Sequence, residues 1–389
     1  MRPAIYLQKM KEGAIRRGHP WIFPKAISKI KAKPTTGELV DIFSSEGELL
    51  GVGAYNHHSL YRVRVLAQSW ENLDCTSIET LVQHRLHQAF QVRESLNLPN
   101  PQTNAYRLFN SEADGLSGLT IDRFNDITVV SSTAFWVEAN KNIISNCLSK
   151  TIQGELLWFS QEKPLSQDGW QEFVEQKSGA KTQVMEAGIV YEIDFSNAQK
   201  TGLFLDQRQN HQRMAELSRN RRVLDLYCYT GGFALHAAKA SASKVTAVDS
   251  SAQAIVQAKQ NAQLNGLEDI EFIEADAREF LSKAGDYDVV ILDPPKLVPS
   301  QQHLQRAKNY YRFLHRELFK SMRPGSLLMT CNCSSALTTA EFGSLVTSQA
   351  MAVGKQARVL GIYGPANCHP TLPVFPEGNY LTAVLLAVV

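Results

Sequence analysis

The sequence predicts an α/β fold for the C-terminal half of the chain, and three observations lead to this prediction. From Arg221 onward, short apolar segments of strand character alternate with segments of helical periodicity. Three of the apolar segments close on an aspartate, at Asp225, Asp249 and Asp293. The first apolar segment runs into a Thr-Gly-Gly turn, at 230–232. This order is typical of a parallel sheet covered by helices on both faces.

The length of 389 residues exceeds one typical domain, and its composition is that of a folded protein, with 44% hydrophobic and 20% charged residues. The pattern divides the chain into a β-rich domain at 1–70, a middle α+β domain at 71–195 and the α/β domain at 196–389.

Residues 1–70 are predicted to form strands, because apolar or alternating runs are separated by Gly, Ser and Asn. These strands cover 37–45, 48–56 and 61–67. The middle domain should begin with a helix at 76–96, where apolar residues recur at helical spacing. Its further elements are strands at 106–110, 119–124, 127–132, 154–160 and 188–195 and a helix at 136–149. The polar stretch 161–182 receives no assignment.

The C-terminal domain is expected to alternate regularly. Its predicted strands are 223–227, 245–249, 270–276, 288–293 and 326–331, with late strands near 357–362 and 381–387. Its predicted helices are 233–240, 252–265, 277–284 and a basic helix at 302–322.

The charge is unevenly distributed. The whole chain carries +2, whereas residues 1–70 hold eleven Lys and Arg against five Asp and Glu, a net +6. A basic first domain indicates a polyanionic partner, and a solvated lysine-rich surface is the alternative.

Several classes are disfavoured by what the sequence lacks. Neither a signal peptide nor an apolar run of membrane-helix length is visible, so no membrane partner is expected. Six cysteines without framework spacing fit reduced thiols in a cytoplasmic protein. No pair or cluster has zinc-ligand spacing, so no metal site is predicted.

The acidic strand ends predict a cofactor pocket, since ligands of open α/β sheets bind beyond the carboxyl ends of the strands. Asp249 suits the hydroxyls of a ribose, and Asp276 an adenine amino group. The turn lacks both GxGxxG and GxxxxGK[ST], and it carries Tyr227 and Tyr229 where glycines would admit a pyrophosphate. This disfavours NAD, FAD and ATP and favours a cofactor without phosphates, such as S-adenosylmethionine. Helix capping is the alternative role for Asp225 and Asp276.

The motifs LDLYCYTGGF, AVDSS, EAD and LDPPK resemble the class I S-adenosylmethionine-dependent methyltransferases. Four further motifs resemble the ribosomal RNA large subunit methyltransferase I family: HPWIF at 19–23, EADGLSGLTIDRF at 112–124, KTGLFLDQRQN at 200–210 and FPEGNYL at 375–381. The resemblance implies an N-terminal PUA-like RNA-binding domain, a middle α+β domain and a Rossmann-like methyltransferase domain that makes 5-methylcytosine in 23S ribosomal RNA. The chain departs from the family at 155–182 and at His211, where relatives often have arginine.

This reaction needs a thiolate that adds to carbon 6 of cytosine and so activates carbon 5. In the family the nucleophile sits in a Cys-Ser element after the fifth strand, which matches Cys333 rather than Cys331. Its pKa would need lowering by positive charge, for which Lys296 and Arg208 are candidates. Asp293 is expected at the edge of the cytosine as the second catalytic residue.

The remaining site predictions concern the cofactor and the RNA. The predicted cofactor-binding residues are Gln207, Asp225, Tyr227, Thr230, Gly231, Gly232, Asp249, Ser250, Asp276, Ala277 and Asp293. The predicted RNA contacts are Arg208, Lys296, Tyr310 and Arg312. Two other functions stay open, a methyltransferase acting on a guanine nitrogen and a non-catalytic RNA-binding factor for ribosome assembly. The oligomeric state is open too, with a homodimer among the alternatives.

Overall fold

The computed structural model describes residues 2–173, 179–197, 203–297 and 303–389. Residues 200–202 of one motif and residue 302 of the basic helix lie outside the described residues. The chain divides into two compact units. The first comprises 1–182, 195–198 and 368–378, and the second comprises 183–194, 199–367 and 379–389.

The first unit begins with a six-stranded sheet in the order β2-β6-β5-β4-β1-β3. In chain order its elements are β1 (Ala4–Leu7), α1 (Glu12–Arg16), β2 (Trp21–Ile22), β3 (Ile27–Lys31), β4 (Leu39–Phe43), β5 (Leu49–Tyr55) and β6 (Val63–Gln68). Alternate residues such as Ile5, Leu7 and Ile42 face the buried core. The strands predicted at 37–45, 48–56 and 61–67 are therefore present, as β4, β5 and β6.

The rest of this unit combines a long helix with a four-stranded sheet in the order β10-β9-β8-β7. The elements are α2 (Ile78–Ser95), β7 (Ala105–Asn110), β8 (Leu119–Phe124), β9 (Ile127–Ser132), α3 (Phe135–Ala139), α4 (Lys141–Ser149), β10 (Glu155–Ser160) and α5 (Glu162–Gln167). A two-stranded sheet follows in the chain, β11 (Lys181–Glu186) with β12 (Ile189–Asp194), and its residues from 183 onward belong to the second unit. Helix α5 and part of β11 thus lie in the stretch that the sequence left unassigned.

The single helix predicted at 136–149 is wrong, because two short helices meet at Asn140. The Asn140 side-chain amide donates to the carbonyl oxygen of Trp136 at 2.7 Å. An asparagine side chain that competes in this way for a backbone acceptor favours a break in a helix.

A buried arginine ties together distant parts of the first unit. Arg93 on α2 is 1% exposed and donates to both carboxylate oxygens of Asp114 at 2.8 Å. It also donates to the carbonyl oxygens of Arg107 at 3.0 Å and Cys368 at 2.8 Å. Every acceptor is supplied by the fold, which offsets the cost of removing the guanidinium from water.

The second unit contains a seven-stranded sheet in the order β15-β14-β13-β16-β17-β19-β18. Its elements are α6 (Arg208–Glu216), β13 (Arg222–Leu226), α7 (Gly232–Lys239), β14 (Lys244–Asp249), α8 (Ala252–Leu264), β15 (Glu271–Glu274), β16 (Val289–Leu292), α9 (Leu304–Ser321), β17 (Leu327–Asn332), α10 (Thr339–Met351), β18 (Ala357–Tyr363) and β19 (Thr382–Val388). Residues 277–286 form 3-10 turns where a short helix was predicted.

The first five strands of this sheet are parallel, as the alternating pattern predicts. The two late strands differ, because β19 runs antiparallel to both β17 and β18. Only a 3-10 turn, Pro376–Gly378, lies between β18 and β19 among the described residues, and the chain reverses direction between these adjacent strands. The parallel strands β13, β14, β16 and β17 end at one edge, which brings their following residues together.

None of the helices in the described ranges combines the length and the apolar character that crossing a bilayer requires.

We expect the Arg93→Met substitution to lower the free energy of unfolding of the first unit by about 3–5 kcal/mol, because it leaves Asp114 buried without its cation. The matched control is Lys150→Met, since Lys150 forms a 3.2 Å ion pair with Glu79 in which both side chains are about half exposed. That substitution should change stability by about 0.5 kcal/mol or less. Urea unfolding followed by tryptophan fluorescence measures both, and equal effects would contradict the role given to Arg93.

Candidate active site

The turn between β13 and α7 has an unusual backbone. Tyr227 and Tyr229 adopt φ values of 65° and 50°, and Gly231 has φ 90°. The left-handed region is unfavourable for bulky side chains, and such strain persists only where the surroundings impose it. Here the Tyr229 amide donates to Asp249 Oδ2 at 2.9 Å, and Asn261 donates to the Thr230 carbonyl at 3.2 Å. The turn is therefore held in this strained conformation at the N-terminus of α7 by contacts from other parts of the unit.

Asp225 lies directly beneath this turn and is completely buried. Its Oδ2 accepts a hydrogen bond from the Ala234 amide in the first turn of α7 at 3.0 Å. The alternative role as a helix cap therefore accounts for one of its two oxygens. Its Oδ1 has no partner among the described residues. Burial and the charges of Asp293 and Asp249 raise the pKa of Asp225 to about 8. An unpaired buried carboxylate oxygen marks a place that a polar ligand can complete.

The residues after β14 and β15 line the same edge of the sheet. Asp249 is partly buried and Oδ1 accepts from the Ser251 amide at 2.8 Å, while Ser250 is exposed. Asp276 caps the following turn by accepting from the Arg278 amide at 2.9 Å. Its carboxylate also pairs with the Arg278 guanidinium, which lowers the pKa of Asp276. An adenine amino group bound here would share Asp276 with Arg278. Ala277 is buried beside it.

Cys333 and Asp293 are brought together where β16 and β17 end. The Cys333 thiol lies 4.0 Å from Asp293 Oδ1. The other oxygen, Oδ2, accepts from the Gln207 side-chain amide at 3.0 Å. Gln207 is itself oriented by Asn210, which donates to its Oε1 at 2.7 Å. A thiol, a carboxylate and a supporting amide thus form one cluster, and the fully buried thiol of Cys331 in β17 also forms a hydrogen bond with Asp293.

The electrostatics of this cluster are dominated by burial. Burial and the charge of Asp206 raise the pKa of Asp293 to about 7. The pKa of Cys333 is raised as well, by burial and by the charges of Asp293 and Asp206, with Lys296 acting weakly in the opposite direction. Lys296 thus lowers the pKa of the thiol as expected, but burial and the charges of the two carboxylates outweigh it, so the pKa is raised overall. A contribution from Arg208 stays a prediction.

The four predicted RNA contacts lie in different surroundings. Lys296 is exposed, whereas Arg208 is only 6% exposed. Tyr310 is partly exposed on α9, and its hydroxyl lies 3.4 Å from that of Tyr227 in the cofactor turn. Arg312 is partly exposed and donates to Asn309 at 2.8 Å. The structure therefore associates Tyr310 with the cofactor turn, and the RNA roles of these residues stay predictions.

Sequence reasoning missed a buried polar cluster behind the turn, formed by Glu186, His211 and His236. Glu186 Oε1 lies 2.8 Å from His211 Nδ1 and 3.5 Å from His236 Nε2. Although burial opposes it, the charge and hydrogen bond of His211 lower the pKa of Glu186 to about 2. The His211 ring lies only 2.6 Å from where a Cβ on Gly232 would be placed, so glycine is required there.

This cluster explains why the departure at His211 is compatible with the fold. The hint in the sequence was the histidine at 211, where relatives often have arginine. The cluster itself was missed because its carboxylate, Glu186, lies 25 residues away on β11. The three side chains are the group of described residues that combines donor atoms suited to a metal ion. Their mutual hydrogen bonding accounts for the 2.8 Å contact, and the expectation of no metal stays a prediction.

Comparisons with known proteins identify the family and two of its domains. Residues 152–352 match the family model of S-adenosylmethionine-dependent methyltransferases, and residues 5–68 match that of PUA-like domains. The ribosomal RNA large subunit methyltransferase I of Aeromonas hydrophila is 33% identical, with 99% of each chain covered. The protein of that name from Photobacterium profundum is 32% identical, with 98% of each chain covered.

Solved structures show the same fold at lower identity. A SAM-dependent methyltransferase from Streptococcus mutans superposes with a TM-score of 0.81 at 18% identity, covering 99% of both chains. The structure of SMU.776 in complex with SAH gives a TM-score of 0.83 at the same identity and coverage. The unpaired oxygen of Asp225, the turn between β13 and α7 and the carboxylate of Asp249 fit S-adenosylmethionine as the cofactor. The chain therefore belongs to the ribosomal RNA large subunit methyltransferase I family of S-adenosylmethionine-dependent enzymes.

Proposed function

We propose that this protein methylates carbon 5 of a cytosine in 23S ribosomal RNA through a covalent adduct between Cys333 and carbon 6. The observation that carries the proposal is the approach of the Cys333 thiol to Asp293 beside the strained cofactor turn. The relatives' names, which specify ribosomal RNA of the large subunit, support the substrate class. The net charge of +6 over residues 1–70 is consistent with a nucleic-acid partner.

When bound, S-adenosylmethionine supplies an electrophilic methyl group. Cytosine carbon 5 is too weak a nucleophile to take it, and the thiol overcomes this by covalent catalysis. The Cys333 sulfur forms a bond to carbon 6, and the displaced electron pair makes carbon 5 nucleophilic as N3 gains a proton. After methylation, carbon 5 loses its proton to solvent water, the sulfur–carbon 6 bond breaks with its electron pair leaving on sulfur, and N3 returns its proton to the Asp293 carboxylate, which restores the aromatic ring and the thiolate.

Asp293 has the position and the pKa to move the required proton. With a pKa raised to about 7, its ionised form is present at neutral pH and is basic enough to accept the proton of the nearby thiol. The protonated carboxyl can then donate to N3 of the cytosine. Asp293 would in this way compensate for the raised pKa of the Cys333 thiol, because it takes the thiol proton only as the sulfur attacks the cytosine.

We expect the Cys333→Ala substitution to reduce methyl transfer by about 10³-fold or more, because it removes the nucleophile. Affinity for S-adenosylmethionine should change little. The matched control is Cys147→Ala, which should stay within about tenfold of the wild type because Cys147 is buried in α4 of the first unit. RNA containing 5-fluorocytosine should form a gel-stable adduct with the wild type and the control only. Normal turnover by the Cys333 variant would contradict the covalent mechanism and favour a guanine-nitrogen target.

We expect kcat/KM to fall about tenfold per pH unit below pH 7, since protonation of Asp293 removes the acceptor for the thiol proton. The Gln207 hydrogen bond lowers the pKa of Asp293, so Gln207→Leu should move the midpoint of this profile to higher pH. Asp293→Asn should abolish the dependence together with most activity. The measurement is kcat/KM of the wild type and both variants between about pH 5.5 and about pH 9. Equal midpoints for the wild type and the Gln207 variant would contradict this role of Asp293.

We expect Asp249→Ala to weaken S-adenosylmethionine binding by about 10- to 100-fold, since hydrogen bonds to a charged group contribute about 1.5–3 kcal/mol. Asp249 also accepts a hydrogen bond from the Tyr229 amide, so its removal should loosen the turn between β13 and α7. The control is Asp269→Ala, an exposed carboxylate after α8 that should leave affinity unchanged. Isothermal titration calorimetry gives both values, and equal affinities would exclude Asp249 from the cofactor site.

A further inference from the structure

The N-terminal sheet has an outer face that is aromatic as well as basic. On β1, Ile5 and Leu7 are buried in the core, whereas Tyr6 points to the opposite side and is partly exposed. Phe43 on β4 is paired with Tyr6, and their rings stack at a centroid distance of 5.2 Å and an angle of 19°. Both aromatic side chains therefore lie next to each other on a sheet surface that the core does not use.

Lysines flank this aromatic pair on the edge strand β3. Lys29 is directly opposite Tyr6 and Lys31 opposite Ala4, so both extend from the outer face. The Lys31 ammonium lies 4.8 Å from the centroid of the Tyr6 ring. Both lysines are exposed, and neither forms an ion pair with any residue in the described ranges. Alternate residues of a strand are about 7 Å apart, so the two ammonium groups extend from β3 at positions separated by about that distance.

The nearby carboxylates do not neutralise this face. Asp41, on the same side of β4, is paired with Arg2 at 3.5 Å. Glu46 is paired with Lys9 at 3.2 Å. Lys25 and Lys33, exposed just before and after β3, extend the positive charge along the edge. The unpaired charge next to the aromatic pair is therefore positive.

We propose that this face, made of Tyr6, Phe43, Lys29 and Lys31, binds single-stranded RNA. Proteins that bind single strands combine aromatic side chains on which bases stack with cations that contact phosphates. The face offers both at adjacent positions of three neighbouring strands. The proposal rests on the proposed function in that the substrate is RNA, and it names a contact surface separate from the predicted residues of the cofactor domain.

Lysines on an edge strand have a second physical role, because they hinder pairing with the edge of another sheet. That role requires no aromatic neighbours and predicts a different result. If the lysines only protect the edge, their removal should cause self-association and leave RNA affinity unchanged.

The test measures binding of a fluorescein-labelled oligouridine of about 12 nucleotides, within the length that such surfaces cover. Because this RNA contains no cytosine, its binding is independent of the Cys333 chemistry and distinguishes failure of this proposal from failure of the proposed function. The Lys29→Gln/Lys31→Gln double variant should reduce the slope of log affinity against log salt by about 1.4, which corresponds to two phosphate contacts on a single strand. Tyr6→Leu should weaken binding about tenfold or more through lost stacking.

Two controls are matched to these variants. Lys150→Gln/Lys163→Gln removes two exposed lysines elsewhere in the same unit and should leave the slope unchanged. Lys29→Arg/Lys31→Arg keeps the charge and should retain the wild-type slope even where the glutamine variant is less stable. An unchanged slope and an affinity within twofold of the lysine control would overturn the proposal, as would self-association in sedimentation without a loss of RNA binding.

Discussion

The crowding of buried carboxylates at one edge of a parallel sheet is the constraint on which the catalytic unit depends. Asp225, Asp249 and Asp293 end adjacent strands, and each of the outer two raises the pKa of Asp225. Burial and the charge of Asp206 raise the pKa of Asp293, and burial with the charges of Asp293 and Asp206 raises the pKa of the Cys333 thiol. A site of this kind favours a positively charged ligand, and the sulfonium of S-adenosylmethionine has that charge. The carboxylates that raise the pKa of the Cys333 thiol would therefore also favour the binding of this cation.

The strained turn above these carboxylates requires support from behind. Tyr227 and Tyr229 occupy a backbone region that bulky residues avoid, so the energy of that conformation must be offset by surrounding contacts. Asp249 and Asn261 hold the turn by hydrogen bonds, and the His211 ring fills the space behind Gly232. Glu186 fixes that ring from a strand of the neighbouring hairpin. The cofactor turn is thus shaped by residues that do not belong to the motif itself.

The sequence indicated the parallel core well, because strands buried on both faces leave continuous apolar runs that end where the polar site begins. Asp225, Asp249 and Asp293 were predicted at strand ends for this reason, and Cys333, predicted from the family's Cys-Ser element, lies beside Asp293. Contacts between residues distant in sequence were not predictable in this way. The break at Asn140 depends on one side-chain hydrogen bond, the antiparallel order of β18 and β19 on a chain reversal, and the raised thiol pKa on carboxylates up to 127 residues away. Local periodicity contains none of this information.

The buried guanidinium of Arg93 has a consequence for how the protein is made. One of its acceptors is the carbonyl of Cys368, which lies 275 residues further along the chain and within a C-terminal segment of the first unit. During synthesis the N-terminal part leaves the ribosome long before that segment exists. Domains usually fold as units in the order of translation. Until the segment with Cys368 has been produced, the guanidinium of Arg93 lacks one of its four acceptor atoms, so the first unit cannot complete its buried hydrogen bonds before nearly the whole chain exists.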